Sequence, residues 1–236
     1  MHRTIDVAIV TVSRKEKYIY ELLRRLRVGA PVRLVVGSAD VEYLAPFKGY
    51  PQLKVISAPR SEWKRVKGSS THHKATWNYW RALTVGVSTA GREGLLLLED
   101  DVVPSDNLEP QLHKIIDWLE VLYGINYALS LYYPHQFTPA DASGLYVEYP
   151  THRFFGTQAI YYPERLRQGF AEFLRVNGVE LNRTAYDLLL REYLVQNRVP
   201  LFGSFPCLVQ HIGRIGTGLG AFHEARIVAE DLAVRT

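Results

Sequence analysis

Residues 95–104 read Leu-Leu-Leu-Leu-Glu-Asp-Asp-Val-Val-Pro, so four leucines lead directly into three acids. An apolar run of this length, bounded by polar residues, is typical of a strand that is buried on both faces. Side chains alternate along a strand, so we expect Glu99 and Asp101 on one side and Asp100 on the other. The stretch therefore predicts a buried strand that delivers carboxylates to its carboxyl end.

Strands and helices alternate on the amino-terminal side of this stretch. Apolar, β-branched runs predict strands at residues 7–12, 32–36 and 53–56, and apolar residues at helical spacing predict helices at residues 16–27 and 71–87. Buried strands separated by helices indicate an α/β fold with a mostly parallel sheet, whose ligands bind at the carboxyl ends of the strands.

The carboxyl-terminal side has a mixed pattern. Helices are predicted at residues 108–123, 163–176 and 185–196, and strands at residues 127–133, 157–162 and 208–210, with an aromatic stretch at residues 145–149. We expect these strands to extend the sheet in mixed directions. The pattern contains no repeat, low-complexity tract or linker-like run, which favours a single domain.

Composition excludes several classes of protein. The 236 residues are 47% hydrophobic and 22% charged, which excludes a disordered or fibrous chain. The apolar runs are far shorter than the roughly 18 residues of a membrane span, and the first residues lack the apolar region of a signal peptide. The single cysteine, Cys207, excludes a disulfide framework and is expected in the core. We therefore expect a cytoplasmic protein.

The positive charge is concentrated in the first third of the chain. The formal net charge is +4, but residues 1–70 hold 14 Lys and Arg against 6 Asp and Glu. Three clusters stand out: Arg14-Lys15-Lys17, Arg24-Arg25-Arg27 and Lys64-Arg65-Lys67. Such clusters bind phosphates or anionic surfaces, or they form solvated helix faces, and both interpretations stay open.

The three adjacent acids point to a cation. Carboxylates at the end of a buried strand repel one another unless a cation or hydrogen-bond donors compensate them. We expect Asp101 to bind Mg²⁺ or Mn²⁺ together with substrate phosphates, while Glu99 contacts water or a ribose. The alternative is a solvated turn with an acidic cap for the next helix.

Three stretches together resemble one enzyme family. Leu-Glu-Asp-Asp-Val-Val-Pro at residues 98–104 resembles the metal-binding DXD motif of GT-A glycosyltransferases. Phe-Gly-Thr-Gln-Ala at residues 155–159 resembles the segment that lines their sugar and acceptor pocket. Pro-Cys-Leu-Val-Gln-His-Ile-Gly at residues 206–213 resembles a motif of the N-acetylglucosaminyltransferase IV and GPI-glycan transferase type. Those relatives usually carry Ser in place of Cys207 and have a membrane anchor, so their acceptors are not transferred to this chain.

The resemblance implies a single GT-A domain over residues 1–236, with a nucleotide-binding half at about 1–104 and an acceptor-binding half at about 105–236. It implies metal-dependent transfer of a hexose or N-acetylhexosamine from a nucleotide-diphosphate donor, expected to be a UDP-sugar, to an acceptor hydroxyl. The cofactor would be Mn²⁺ or Mg²⁺. The predicted metal ligands are Asp101, Glu99 and His211.

Residues after the first strands are the candidates for nucleotide binding. Asp40 is equally well explained as a helix cap. Lys74, Asn78 and Arg81 share one face of the helix at residues 71–87. The resemblance implies that this helix lies beside the nucleotide and the acidic motif. The predicted nucleotide-binding residues are Thr11, Ser13, Arg14, Asp40, Lys74, Asn78 and Asp100.

Sugar and acceptor binding are assigned to Gly156, Thr157, Gln158 and Arg214, the last offsetting charge on the leaving group in a loop at residues 213–220. An ordinary connecting loop is the alternative. Transfer with inversion needs a general base, and Asp187 is the candidate. If Asp187 is only a first-turn acid favoured by the helix dipole, retention of configuration stays possible.

The acceptor and the class of protein have alternatives. The basic amino-terminal third suits a hydroxymethylated base in DNA, as in phage-type DNA glycosyltransferases, and a glycan, a lipid-linked sugar or a protein equally. The walls for a flipped base would be Tyr132, Tyr133, Phe154 and Phe155, which suit stacking on sugars as well. A nucleotidyltransferase is disfavoured because no glycine follows the first strand. A catalytically inactive relative that binds glycans or nucleic acid is the alternative of another class.

Overall fold

The computed structural model describes residues 5–12, 18–38, 49–85, 87, 94–137, 144–214 and 223–233. The first elements are strand β1 (Asp6–Thr11), helix α1 (Ile19–Arg25), strands β2 (Val32–Val36) and β3 (Leu53–Ile56), helices α2 (Arg60–Val66) and α3 (Thr71–Val85), and strand β4 (Gly94–Glu99). Each predicted strand and helix of this half is present within a few residues. Helix α2 was not predicted, because its seven residues include only two large apolar side chains.

The second half begins with β5 (Val102–Pro104), α4 (Leu108–Tyr123), β6 (Ala128–Ser130), β7 (Tyr146–Tyr149) and β8 (Ala159–Pro163). Helix α5 (Glu164–Leu174), a π-helical segment (Arg175–Glu180), α6 (Tyr186–Gln196), β9 (Leu201–Ser204) and β10 (Val209–His211) follow. The strand predicted at residues 127–133 is wrong in length, since only residues 128–130 pair. β5 and β9 were not predicted.

Eight strands form one sheet in the order β3-β2-β1-β4-β8-β6-β9-β7. The first four run parallel, whereas β8 lies antiparallel between β4 and β6. β9 is parallel to β6, and β7 is antiparallel to β9. The fold is therefore α/β, with a mostly parallel mixed sheet flanked by helices. This confirms the fold class at that level and is compatible with a Rossmann-like fold.

A second, two-stranded sheet pairs β5 with β10 antiparallel, with His211 opposite Val102. The backbone N–H of Ile212 extends this pairing and donates to the carbonyl of Asp101 at 2.9 Å. The small sheet thus joins the segment after β4 to a late part of the chain.

The core covers both halves of the large sheet. Leu95 to Leu98 are fully buried, as are Leu129, Ile160 and Phe170 from the second half. Cys207 is also fully buried, which confirms its predicted place. Among the described residues, no helix is long and apolar enough to cross a membrane.

Candidate active site

The acidic motif lies at the carboxyl ends of two neighbouring parallel strands. Val10 of β1 pairs with Glu99 of β4, so the residues that follow each strand meet. The hydroxyl of Thr11 donates to Oδ2 of Asp100 at 2.5 Å, and both residues are buried. The predicted alternation therefore holds for Asp100, which points toward β1.

Glu99 points away from Asp100 and is held by two hydroxyl groups. Thr157 Oγ1 donates to Glu99 Oε1 at 2.8 Å, and the Tyr186 hydroxyl donates to the same oxygen at 3.1 Å. Burial and the neighbouring Asp101 charge raise the pKa of Glu99 to about 7, although the two hydroxyl donors and His211 oppose this shift. Glu99 is thus a carboxylate whose ionisation depends on compensation from its surroundings.

Asp101 and His211 are brought together by the small sheet. Oδ2 of Asp101 lies 3.6 Å from Nε2 of His211, and both side chains are largely buried. The Nδ1 atom of His211 lies 2.9 Å from the carbonyl oxygen of His223. Since a carbonyl only accepts, Nδ1 carries the proton in the neutral ring and Nε2 presents its lone pair to Asp101. Two acceptors therefore converge on one point.

The convergence of two acceptors calls for a proton or a cation between them. Burial by itself lowers the pKa of His211, but Asp101, the His223 carbonyl and Glu99 outweigh it, so the pKa is raised above its usual range. The same site attracts a positive charge, because a carboxylate oxygen is a suitable ligand for Mn²⁺ and Mg²⁺, and a neutral imidazole nitrogen suits Mn²⁺ better than Mg²⁺.

Gly213 leaves space beside this pair. A Cβ atom at this position would lie 2.5 Å from Oδ2 of Asp101 and 2.9 Å from Nε2 of His211. A side chain would therefore occupy the place where the two ligand atoms meet. This cradle, together with the donor chemistry, fits a divalent cation held by Asp101 and His211.

The structure separates Glu99 from that pair. In the part of the chain that is described, no group of three or more His, Cys, Asp or Glu side chains is arranged to hold a metal ion. Glu99 has one oxygen engaged by Thr157 and Tyr186 instead. Two protein ligands are common for Mg²⁺, which retains waters and binds substrate phosphates.

Helix α3 places Asn78 and Lys74 differently with respect to the site. Asn78 is buried, and its Nδ2 donates to the carbonyl of Thr11 at 3.1 Å. Gly37 passes so close that a Cβ there would lie 2.9 Å from the Asn78 amide. Lys74 is half-buried on the first turn of the helix. Ser13, Arg14 and Asp40 lie outside the described residues.

Asp187 lies in the first turn of helix α6 and is hydrogen-bonded to Gly156. Its Oδ2 accepts the backbone N–H of Gly156 at 3.1 Å, and its Oδ1 accepts the N–H of Leu188 at 2.9 Å. Gly156 has a φ of +80°, a conformation that favours glycine. Because Thr157 follows Gly156, this contact connects Asp187 to the residue that holds Glu99.

An open pocket of about 450 Å³ adjoins Asp187. It lies between the start of α3 and the start of α6. Its lining residues are Ser70, His72, Asn182, Arg183, Thr184, Ala185, Asp187 and Leu188. The predicted general base therefore borders a space that is large enough for part of a substrate.

Gln158 and Arg214 border the acidic motif in different ways. The backbone carbonyl of Gln158 accepts the N–H of Glu99 at 2.9 Å, so its main chain rather than its side chain meets the motif. Arg214 follows Gly213 and is exposed. Its backbone N–H donates to the carbonyl of Ile212 at 2.8 Å, so this bond involves the main chain and not the guanidinium.

The aromatic walls expected for a flipped base are not at the surface. Tyr132, Tyr133 and Phe154 are each at most 3% exposed, so they serve packing and are not free to stack on a ligand. This prediction was wrong for these three because aromatic residues between short strands fill the second half of the core. Phe155 is half-buried and makes an edge contact with His223.

Three contributors were not found from the sequence. Tyr186 precedes Asp187, and only this position next to a candidate acid could have indicated a role at the site. Gly213 belongs to the quoted motif, but its close approach depends on the pairing of β5 with β10. The carbonyl of His223 acts through the backbone, which no side-chain pattern reveals.

Comparison with known proteins adds no family to this description. No family model matches the chain, and no curated protein matches it.

Proposed function

We propose that the protein is a metal-dependent glycosyltransferase, which moves a sugar from a nucleotide-diphosphate donor, a UDP-sugar, to an acceptor hydroxyl with inversion. The observation that carries the proposal is the convergence of Asp101 and His211 at 3.6 Å over the space that Gly213 leaves open. Asp101 and His211 are far apart in the sequence, but their acceptor atoms Oδ2 and Nε2 lie next to each other in the structure.

Contacts between the three family-like stretches support the proposal. The acidic motif contacts the Gly-Thr-Gln segment through Glu99 and Thr157, and it contacts the carboxyl-terminal motif through Asp101 and His211. All three meet at the carboxyl end of β4, where ligands bind in open α/β sheets. A mostly parallel sheet with mixed strands in its second half also agrees with the GT-A domain that the resemblance implies.

Asp101 and His211 are the residues that would hold Mn²⁺ or Mg²⁺, with Glu99 nearby as a hydrogen-bonded carboxylate. A cation bound there supplies charge stabilisation for the departing diphosphate. Arg214 is exposed three residues after the end of β10 at His211, and it adds a positive charge near the site.

Asp187 is positioned to act as the general base. The N–H groups of Gly156 and Leu188 fix its carboxylate, and each oxygen retains a lone pair for an acceptor hydroxyl in the adjoining pocket. The acceptor oxygen forms a bond to the anomeric carbon while the bond from that carbon to the diphosphate oxygen breaks. The hydroxyl proton passes to Asp187, and the electron pair leaves with the diphosphate.

On the donor side, Thr11 and Asp100 form the floor of the site, and Asn78 fixes the end of β1 through the Thr11 carbonyl. Thr157 and Tyr186 orient Glu99 so that its remaining oxygen can accept from a sugar or ribose hydroxyl. Lys74 stands on the same helix as Asn78 and is the nearest candidate for a phosphate contact from α3.

A thermal-shift panel tests the proposal. UDP, GDP, dTDP, CDP and CMP are each added with and without Mn²⁺, because a ligand that binds only the folded state raises the melting temperature. We expect Mn²⁺-dependent stabilisation by one diphosphate, lost in Asp101→Asn and retained in the control Asp117→Asn on the exposed face of α4. No shift with any nucleotide, or an equal shift in Asp101→Asn, would contradict it.

A further inference from the structure

Residues 60–74 form a strongly basic surface, which we call the α2–α3 basic surface. Its five cations are Arg60, Lys64, Arg65, Lys67 and Lys74, and its only acid is Glu62. The excess of four positive charges equals the formal net charge of the whole chain, +4. Residues 1–59 hold 10 Lys and Arg against 5 Asp and Glu, and residues 75–236 hold 13 against 18, so this surface adds to the basic charge of the amino-terminal third.

Three cations of this surface have no ion-pair partner among the residues that the structure describes. Lys64, Arg65 and Lys67 are exposed, and none of them makes an ion pair with any residue that the structure describes. Several arginines elsewhere are paired with acids, for example Arg24 with Glu21 and Arg175 with Glu172. Unpaired cations in one place attract a polyanion more strongly than the same charges dispersed among acids.

Packing fixes the direction in which these cations point. Trp63 and Val66 of α2 pack on Trp77 of α3 and Val179 of the π-helical segment, with the two indole centroids 6.2 Å apart. Lys64, Arg65 and Lys67 alternate with these apolar residues at helical spacing and are exposed on the other side of α2.

The surface continues into the pocket beside Asp187. Lys67 caps the carboxyl end of α2. Ser70, three residues later, lines the pocket together with His72. A chain of phosphates bound along α2 would therefore run past the pocket mouth. The opposite wall of the pocket carries the carboxylate to which the acceptor hydroxyl is assigned.

We propose that the acceptor is a nucleic-acid strand, with phosphates bound by Lys64, Arg65 and Lys67 and one nucleotide inserted into the pocket beside Asp187. This inference rests on the proposed glycosyl transfer, which it deepens by naming the class of acceptor. The hydroxyl that is glycosylated belongs to the inserted nucleotide, and its proton passes to Asp187 as described above.

A membrane surface fits the same cations less well. Peripheral membrane binding combines basic residues with apolar side chains that insert among the lipids. The large exposed apolar residues of the described chain include Trp118, Val121 and Leu122 at the end of α4, but none lies between residues 51 and 84. Cations without apolar neighbours are the pattern of backbone-phosphate binding.

Fluorescence anisotropy with a labelled 20-nucleotide single-stranded DNA tests the inference, measured between about 50 and 300 mM NaCl. The variant Lys64→Gln/Arg65→Gln/Lys67→Gln is expected to lose at least about tenfold in affinity at 100 mM salt. Its slope of log affinity against log salt is expected to fall by about 2, because each phosphate contact on a single strand contributes about 0.7.

The chain offers a matched control. Arg24→Gln/Arg25→Gln/Arg27→Gln removes the same charge from a cluster that makes internal contacts, such as those with Glu21 and with the carbonyl of Asp231. We expect this control to keep the wild-type slope. An equal loss in both triple variants, or no binding of DNA by the wild type, would overturn the inference.

Insertion into the pocket has its own measurement. An oligonucleotide that carries one 2-aminopurine is expected to gain fluorescence on binding, because the base leaves its stack. Thr184→Trp, which fills the pocket, is expected to suppress this gain while the salt slope stays unchanged. A gain that persists in Thr184→Trp would place the nucleotide elsewhere and overturn this part.

Failure of the inference is distinguishable from failure of the proposed function. If the wild type binds phosphatidylserine vesicles but not the oligonucleotide, the acceptor surface is a membrane and the inference is wrong. In that case the Mn²⁺-dependent shift with a nucleoside diphosphate persists and supports the glycosyltransferase. If that shift is absent while DNA binding is lost in the first triple variant, the glycosyltransferase proposal fails instead.

Discussion

Oδ2 of Asp101 and Nε2 of His211 lie 3.6 Å apart, on segments that are joined by the pairing of β5 with β10. Each atom is an acceptor when His211 is neutral, because Nδ1 of the ring faces a carbonyl. A positive charge close to the two atoms, as a proton or a cation, therefore stabilises this arrangement.

Gly213→Ala tests the space beside the pair. The new methyl group would lie closer to Asp101 and His211 than van der Waals contact allows and would displace these two side chains. We expect Mn²⁺-dependent diphosphate binding to weaken by at least about tenfold, while the fold is retained. Calorimetric titration with Mn²⁺ and the diphosphate measures this. Gly68→Ala, where a Cβ meets nothing within 4 Å, is the control. Equal affinity in both variants would contradict the prediction.

Asp187→Asn separates the base from donor binding. Removing a general base lowers the rate of transfer by about 10² to 10⁴, whereas the proposed cation ligands Asp101 and His211 are left in place. We expect normal stabilisation by the diphosphate with Mn²⁺ and a large loss of kcat in sugar transfer. Glu192→Gln, later on α6 and paired with Arg183, is the control. Full transfer activity in Asp187→Asn would remove this residue from the mechanism.

Tyr186→Phe tests the orientation of Glu99. The ring stays stacked on Tyr79, whose centroid lies 4.4 Å away, but Glu99 loses a hydroxyl donor. We expect kcat to fall about tenfold with little change in melting temperature, as is typical for loss of a supporting contact. Tyr193→Phe on the same helix is the control. A variant that is as active as the control would show that the hydroxyl has no positioning role.

Glu164 provides a test of pH dependence away from the site. Hydrogen bonds from Arg167, at 2.5 and 2.8 Å, and from Gln168 hold the pKa of Glu164 below its usual range. A carboxylate with a lowered pKa stabilises the fold above its unfolded pKa, and this contribution is lost as pH falls through the folded pKa.

We therefore expect Glu164→Gln to lower the free energy of unfolding by about 1 kcal/mol at pH 7, a value reduced by partial exposure, and to match the wild type near pH 3. Urea denaturation at both values measures the difference. Glu172→Gln, which breaks a more exposed pair with Arg175, should have a smaller effect. A difference for Glu164→Gln that grows as pH falls would have the wrong sign.

Long apolar periods made most of the fold predictable. Four leucines before Glu99 identified β4, and the bounds of α4 agree with the prediction because its apolar side chains repeat over sixteen residues. Asp100 and Asp101 follow β4 in a turn, and they contact different partners, Thr11 and His211 respectively. β4 and α4 depend on local sequence, and their signals are long enough to be read without knowledge of the partners.

Short elements and backbone contacts were not predictable in this way. β5 has three residues and was not predicted, whereas β10 was predicted at residues 208–210, but its pairing with β5 is determined by tertiary contacts. The carbonyl that orients His211 carries no side-chain signal. Arg81 shares the helical spacing of Lys74 and Asn78, which grouped it with the candidates for nucleotide binding. In the structure its guanidinium donates to the carbonyls of Val36 and Ser57 instead.

The pairing of β5 with β10 has a consequence for folding. It closes a loop of about a hundred residues, and closures of such high contact order form late because chain entropy opposes them. His211 also leaves the ribosome after every strand of the large sheet. We therefore expect a nascent or partly folded chain to possess the sheet before it has affinity for a cation, so cation affinity reports the completion of folding.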